Sequence, residues 1–105
     1  MARIWRAVLA ATGLLCSFPV LADDVDVEHL RNMVIQDCGS CHGLTLKGGL
    51  GRPLLPQAIT HLDEETLRDI ILDGLPETAM PPWRGLLTEA DAAWIATALK
   101  NGTIR

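Results

Sequence analysis

Three observations predict an all-α domain of about three main helices. Apolar residues recur at intervals of three and four in three separate segments, each segment is bounded by recognisable start or stop residues, and no stretch sustains the period-two alternation of a strand. The first helix is expected from about Asp26 to Cys41, where Leu30, Val34 and Cys38 make a stripe flanked by Val27 and Met33; it ends near Gly43. The second starts at Asp63 as N-cap, has Glu64 and Glu65 in its first turn, turns Leu67, Ile70 and Ile71 inward, and stops at Gly74 before Leu75-Pro76. The third starts at Thr88, which pairs with Asp91 as a capping box, carries Trp94, Ile95, Ala98 and Leu99 inward, and closes at Gly102. Between the first two lies Gly43 to Thr60, with Gly48, Gly49, Gly51, Pro53 and Pro56, a connection long enough in so small a domain to wrap a ligand. A phosphate-loop reading of Gly48-Gly49-Leu50-Gly51 fails, because neither the preceding strand nor the Gly-Lys-Ser/Thr ending is present.

The N-terminal segment reads differently. Arg3 and Arg6 precede an apolar stretch from Ala7 to about Leu15, and Val20-Leu21-Ala22 precedes Asp23-Asp24, the three regions of a secretory signal. Residues 1–22 are therefore expected to be a cleaved signal peptide and residues 23–105 one exported domain, periplasmic and without a membrane span after cleavage. Thr12, Gly13, Ser17 and Pro19 interrupt the apolar run, which argues against an anchor, and Leu14-Leu15 before Cys16 argues against a lipoprotein site.

Cleavage leaves 83 residues with Trp83 and Trp94 as the only aromatics. A chain of that size buries little of its own surface and usually recruits a disulfide, a metal or a cofactor. Without Arg3 and Arg6 it holds seven basic against thirteen acidic residues, a net charge of −6. That balance argues against nucleic acid or anionic lipid, which need basic patches, and leaves a basic protein face as the more natural partner. A monomer is expected.

The chemistry lies in Cys38-Gly39-Ser40-Cys41-His42. C-x-x-C followed at once by His is the attachment motif of c-type haem. At i and i+3 of a helical turn the two sulfurs face one side and can both form thioethers to the haem vinyls, and His42 then points at the iron. A thioredoxin-like pair, a zinc half-site and a structural disulfide are the competing readings, and none of them accounts for the His. The second axial ligand decides between a carrier and a ligand-binding site. Met80, in Thr78-Ala79-Met80-Pro81-Pro82-Trp83, sits off any apolar stripe, on a loop stiffened by two prolines. It is the candidate, ahead of Met33 and His29 on the first helix and of His61. The second ring nitrogen of His42 is expected to donate to the Pro53 carbonyl, with Pro56 as the alternative. Leu54, Leu55, Leu67, Ile71 and either Leu86 or Leu87 are expected to line the pocket. Trp83 reads equally as a haem neighbour and as a plain loop-core aromatic.

With these residues in view, the chain resembles the class I cytochrome c family. Cys38-Gly39-Ser40-Cys41-His42, Gly51-Arg52-Pro53, Met80-Pro81 and Trp94 stand in the family's order. The resemblance implies a class I fold of helices wrapped around one covalent haem c with His/Met ligation, an electron carrier and not an enzyme. Leu30 and Val34 depart from it, since many members have a glycine and an aromatic there; Trp94 is then expected to meet aliphatic side chains. Within the family, Leu75-Pro76-Glu77-Thr78-Ala79-Met80-Pro81-Pro82-Trp83 is similar to the small NirC-type cytochromes found with the haem-d-containing nitrite reductase of denitrifying bacteria. This implies redox partner proteins, nitrite reductase among them, with the protein acting as an electron donor in denitrification or as an assembly module in maturing that enzyme or its special haem. The docking face is expected near Gly39, Ser40, Ala79, Pro81 and Pro82.

Overall fold

The computed structural model describes Ala10, residues 12–16 and residues 24–105; most of the expected signal peptide and its cleavage site lie outside the described residues. No strand occurs among the described residues, as the absence of alternation predicts. Helix α1 (Val27–Met33) runs through a π-helical turn (Val34–Cys38) into α2 (Gly39–His42), a 3₁₀ turn spans Pro56–Ala58, and α3 (Glu64–Asp73) and α4 (Glu89–Asn101) complete the set.

The caps fall where the side chains require them. Asp26 accepts from the His29 N–H at 3.1 Å and starts α1. Asp63 accepts from the Thr66 N–H at 2.7 Å and starts α3, and these bonds hold its carboxyl below the usual range. Thr88 and Asp91 exchange both bonds of a capping box at 3.0 Å each, and α4 closes on Gly102 in the left-handed conformation.

The π turn was not expected. It lets the spacing of four between Leu30, Val34 and Cys38 work as one face: on a regular helix that spacing drifts, and a wider turn brings Cys38 back under Val34. The N–H of Gly39 donates to the carbonyl of Val34, five residues back, which is the mark of that turn.

The core joins Leu30 and Val34 to Leu67, Ile71 and Leu72 of α3 and to Ile95 and Leu99 of α4. Leu72, outside the expected stripe, is among the most deeply buried side chains, while Ile70 is only half-buried. Small residues Ala92, Ala96 and Ala98 keep α4 slim enough to sit against its neighbours, chiefly α3. Trp94 is half-buried and packs against the aliphatic core as expected, and it also meets a cation, the Arg31 guanidinium 5.8 Å from the ring centroid.

Candidate functional site

The loop after α2 folds back on the helix end that carries the Cys-x-x-Cys-His turn. The Gly48 N–H donates to the His42 carbonyl at 2.8 Å and the Gly51 N–H to the Cys41 carbonyl at 2.7 Å, so the orphan carbonyls of that end are satisfied by the loop. The approach is close enough to exclude a side chain: a Cβ at Gly51 would lie 2.9 Å from both Cε1 and Nδ1 of His42.

One residue further on, the Arg52 carbonyl lies 2.6 Å from His42 Nδ1. The acceptor is thus Arg52 and not Pro53 or Pro56: the close approach of Gly51 to the imidazole brings the next carbonyl beside Nδ1. A carbonyl can only accept, so Nδ1 carries the proton and the Nε2 lone pair is left free to bind a metal. Pro53 itself stands in the wall of the adjoining cavity.

That cavity measures about 800 Å³ and brings Cys38, Cys41, His42, Met80, Pro53 and Trp83 to one space. Its volume lies within the roughly 300–1,000 Å³ of small-molecule sites. Cys38 and Cys41 are not joined in a disulfide, and burial pushes the Cys38 thiol up to about 11. Among the described residues no three His, Cys, Asp or Glu side chains converge as a metal cluster, which removes the zinc reading there.

The walls are mainly apolar. Leu54, Leu67 and Ile71 line the cavity as expected, whereas Leu55 faces a separate small void, Leu87 is packed in the core and Leu86 is 73% exposed. Ile59 and Leu62, from the stretch leading into α3, also line it; they belong to no periodic stripe and carried no sequence signal. His61 stands at the same cavity, exposed, whereas His29 and Met33 do not line it.

Met80 reaches the cavity from the loop between α3 and α4. Gly74, at φ +72° and ψ −173°, occupies a region open essentially to glycine alone, and a Cβ there would lie 2.7 Å from the Met80 carbonyl oxygen. The absence of a side chain at the end of α3 therefore lets the Met80-Pro81-Pro82 backbone pass directly over it. Trp83 is half-buried beside the cavity, its main-chain N–H donating to the carbonyls of Ile71 and Leu72 at 3.1 and 3.0 Å.

The arrangement fits haem on its own chemistry: two thiols and an imidazole with a free Nε2 on one helical turn, a thioether on a loop at the same cavity, and apolar walls between. Comparison with known proteins agrees. A family model described as cytochrome c oxidase, cbb3-type, subunit III matches residues 25–97. The chain belongs to the cytochrome c family. This cytochrome is 50% identical over 99 residues to cytochrome c55X of Paracoccus denitrificans (strain Pd 1222), covering 94% of each chain. It superposes with a TM-score of 0.72 on the solved structure of a c-type cytochrome NirC, at 49% identity, over 73% of this chain and 91% of that one. It is also 36% identical, over 83% of its length, to 17% of the dihydro-heme d1 dehydrogenase of Pseudomonas aeruginosa (strain ATCC 15692 / PAO1).

The all-α class I fold inferred from the sequence is the fold found. As a member of this family the protein carries covalently bound haem c and is an electron carrier rather than an enzyme. No helix among the described residues is long and apolar enough to cross a membrane. Of the expected rim, Ser40, Ala79, Pro81 and Pro82 are exposed, but Gly39 is buried, and a Cβ there would lie 3.3 Å from the Leu44 α-carbon.

Proposed function

We propose that this cytochrome is a periplasmic electron donor in the nitrite reductase system, with residues 1–22 removed on export and residues 23–105 forming the working domain. In this reading Cys38 and Cys41 would hold the haem through thioethers, His42 Nε2 and the Met80 thioether would bind its iron, and Pro53 and Trp83 would be haem neighbours. The observation that carries it is the His42 Nδ1–H bond to the Arg52 carbonyl at 2.6 Å, which leaves the lone pair on Nε2 of a ring that lines the same cavity as Met80. When bound, the haem supplies a one-electron couple. The chain's part would be to hold the imidazole, supply a soft sulfur and keep water away with Leu54, Leu67 and Ile71; the sulfur and the dry walls favour the reduced state, while the bonded imidazole tempers that effect.

With His42 and Met80 both held to the iron, the chain would need no ligand exchange, and transfer would take place in a short encounter at the rim of the cavity. Ser40, Ala79, Pro81 and Pro82 form a small uncharged rim suited to such a contact, typically below about 1,200 Å² in total. The net charge of −6 over residues 23–105 favours a basic partner face. The likeness to part of a dihydro-heme d1 dehydrogenase supports a second reading, a module that serves maturation of the special haem of nitrite reductase.

Mixing reduced protein with nitrite reductase separates the two. Rapid oxidation of the haem with multiple turnovers supports the donor, and a long-lived complex with the immature enzyme and no turnover supports maturation. Met80→Ala is expected to lower the reduction potential and to open the ferric iron to cyanide; an unchanged spectrum and cyanide affinity would remove Met80 from the ligand set.

A further inference from the structure

Met80 rides on an excursion of the chain that leaves α3 at Asp73 and returns at Arg84. The hydrogen bonds of its middle stay within the loop. Thr78 donates to the Leu75 carbonyl through its N–H at 3.2 Å and its Oγ1 at 2.7 Å, the Leu75 N–H donates to the Met80 carbonyl at 3.3 Å and the Met80 N–H to Thr78 Oγ1 at the same distance, while Pro81 and Pro82 have no N–H to give. Glu77 sits at φ +62°, in the left-handed region that a non-glycine residue occupies at a cost. A loop of this kind holds its shape through its neck.

At that neck the guanidinium of Arg84 grips the carboxylate of Asp73 with two parallel bonds, Nε to Oδ1 at 2.7 Å and the second nitrogen to Oδ2 at 2.9 Å, with Glu89 at 3.5 Å on the far side. The Arg84 main-chain N–H donates to the Leu72 carbonyl at 3.0 Å, so side chain and backbone close the same gap. Charge explains why an arginine is useful here. Asp73 is the last residue of α3, where a carboxylate opposes the negative end of the helix dipole, and α3 has no basic residue in its own last turn. Arg84 is the only lysine or arginine between Arg68 and Lys100, and it supplies that cation from across the loop.

We propose that the Arg84–Asp73 pair is a latch on the Met80 loop, which makes Arg84 a positioning residue for the sixth haem ligand. The proposal rests on Met80 ligation. Both side chains are about half exposed, so the latch is worth no more than a good surface pair, up to about a fivefold shift in the balance between seated and lifted loop.

The test uses the haem-loaded ferric protein and imidazole, which must displace Met80 to bind. Arg84→Gln and Asp73→Asn are each expected to bind imidazole about threefold more tightly than the parent. The double variant should gain no more than either single one, and Arg84→Lys should fall between. The two single variants change the local charge in opposite directions. A purely electrostatic influence on the iron would therefore move their affinities apart, and that result, or unchanged affinity in both, overturns the latch. The ligand assignment is read separately from the wild type: if it lacks the thioether-to-iron band in the red and binds imidazole as tightly as Met80→Ala, Met80 ligation fails and the latch with it. A wild type with the band intact and variants that match it in affinity refute the latch alone.

Discussion

Gly51→Ala tests how the histidine side of the haem is fixed. The new methyl carbon would lie 2.9 Å from Cε1 and Nδ1 of His42 and 3.4 Å from the Cys41 carbonyl oxygen, so either the ring or the loop must move. The loop is poorly free to do so: the Gly51 N–H is bonded to Cys41 at 2.7 Å, and its carbonyl accepts from the Gly49 N–H at 3.0 Å. Overpacking of this sort costs about 1–3 kcal/mol. In a domain of this size each kcal/mol lowers the melting temperature by roughly 4–8 °C. The displaced ring also loses or lengthens its bond to the Arg52 carbonyl. A less basic imidazole stabilises ferric iron less, so the reduction potential should rise even as stability falls. Thermal melts and voltammetry on the same sample check both signs, and nuclear magnetic resonance of the Nδ1 proton reports the bond itself. A variant with unchanged potential and an unshifted Nδ1 proton would show that the glycine is not there to make room for the ring.

Three further outcomes follow from the fold. Leu72→Ala, at a side chain 1% exposed between α3 and the core, is expected to cost about 2–5 kcal/mol in denaturant titrations without moving the haem spectrum, because Leu72 lines no part of the cavity. Asp63 and Asp73 are held below the ordinary carboxylate range, by the Thr66 N-cap bonds and by Arg84 respectively. A depressed folded-state value gives stability that is complete above the unfolded value near pH ~4 and is lost as the pH falls through the folded one, so acid melts should steepen below that point and flatten in Asp63→Asn. Replacing Cys38 and Cys41 with Ser should leave a chain without cooperative unfolding by circular dichroism.

What the sequence made legible was whatever depends on residue type at fixed spacing. The Cys-x-x-Cys-His turn, the Asp63 and Thr88 caps and the Gly102 stop each require particular side chains at particular intervals, and each lies where it was expected. The histidine's acceptor was missed by one residue because it is a backbone carbonyl, which every residue possesses; only the clash at Gly51 decides that it is Arg52. The π turn was invisible for a related reason, since it is a change in hydrogen-bond register with no residue signature. Leu86 and Leu87 were misplaced because a turn over Trp83 to Leu87, closed by the Leu87 N–H on the Trp83 carbonyl at 2.9 Å, swings Leu87 into the core and Leu86 into solvent. The Asp73–Arg84 pair joins two residues eleven apart, beyond the reach of any periodicity.

The cavity and the polypeptide core are one structure seen from two sides. Leu67, Ile71, Ile95 and Leu99 are buried in the core and also line the cavity. The helices that pack on one another through these residues present the remainder of the same side chains to the cavity. A space of about 800 Å³ would need several large side chains to fill. A chain with only two tryptophans in residues 23–105 has no large side chains in reserve to collapse into such a space. The haem is therefore as much a core element as a redox centre, and a substitution that loosens the Met80 loop should weaken packing along α3 as well as ligation.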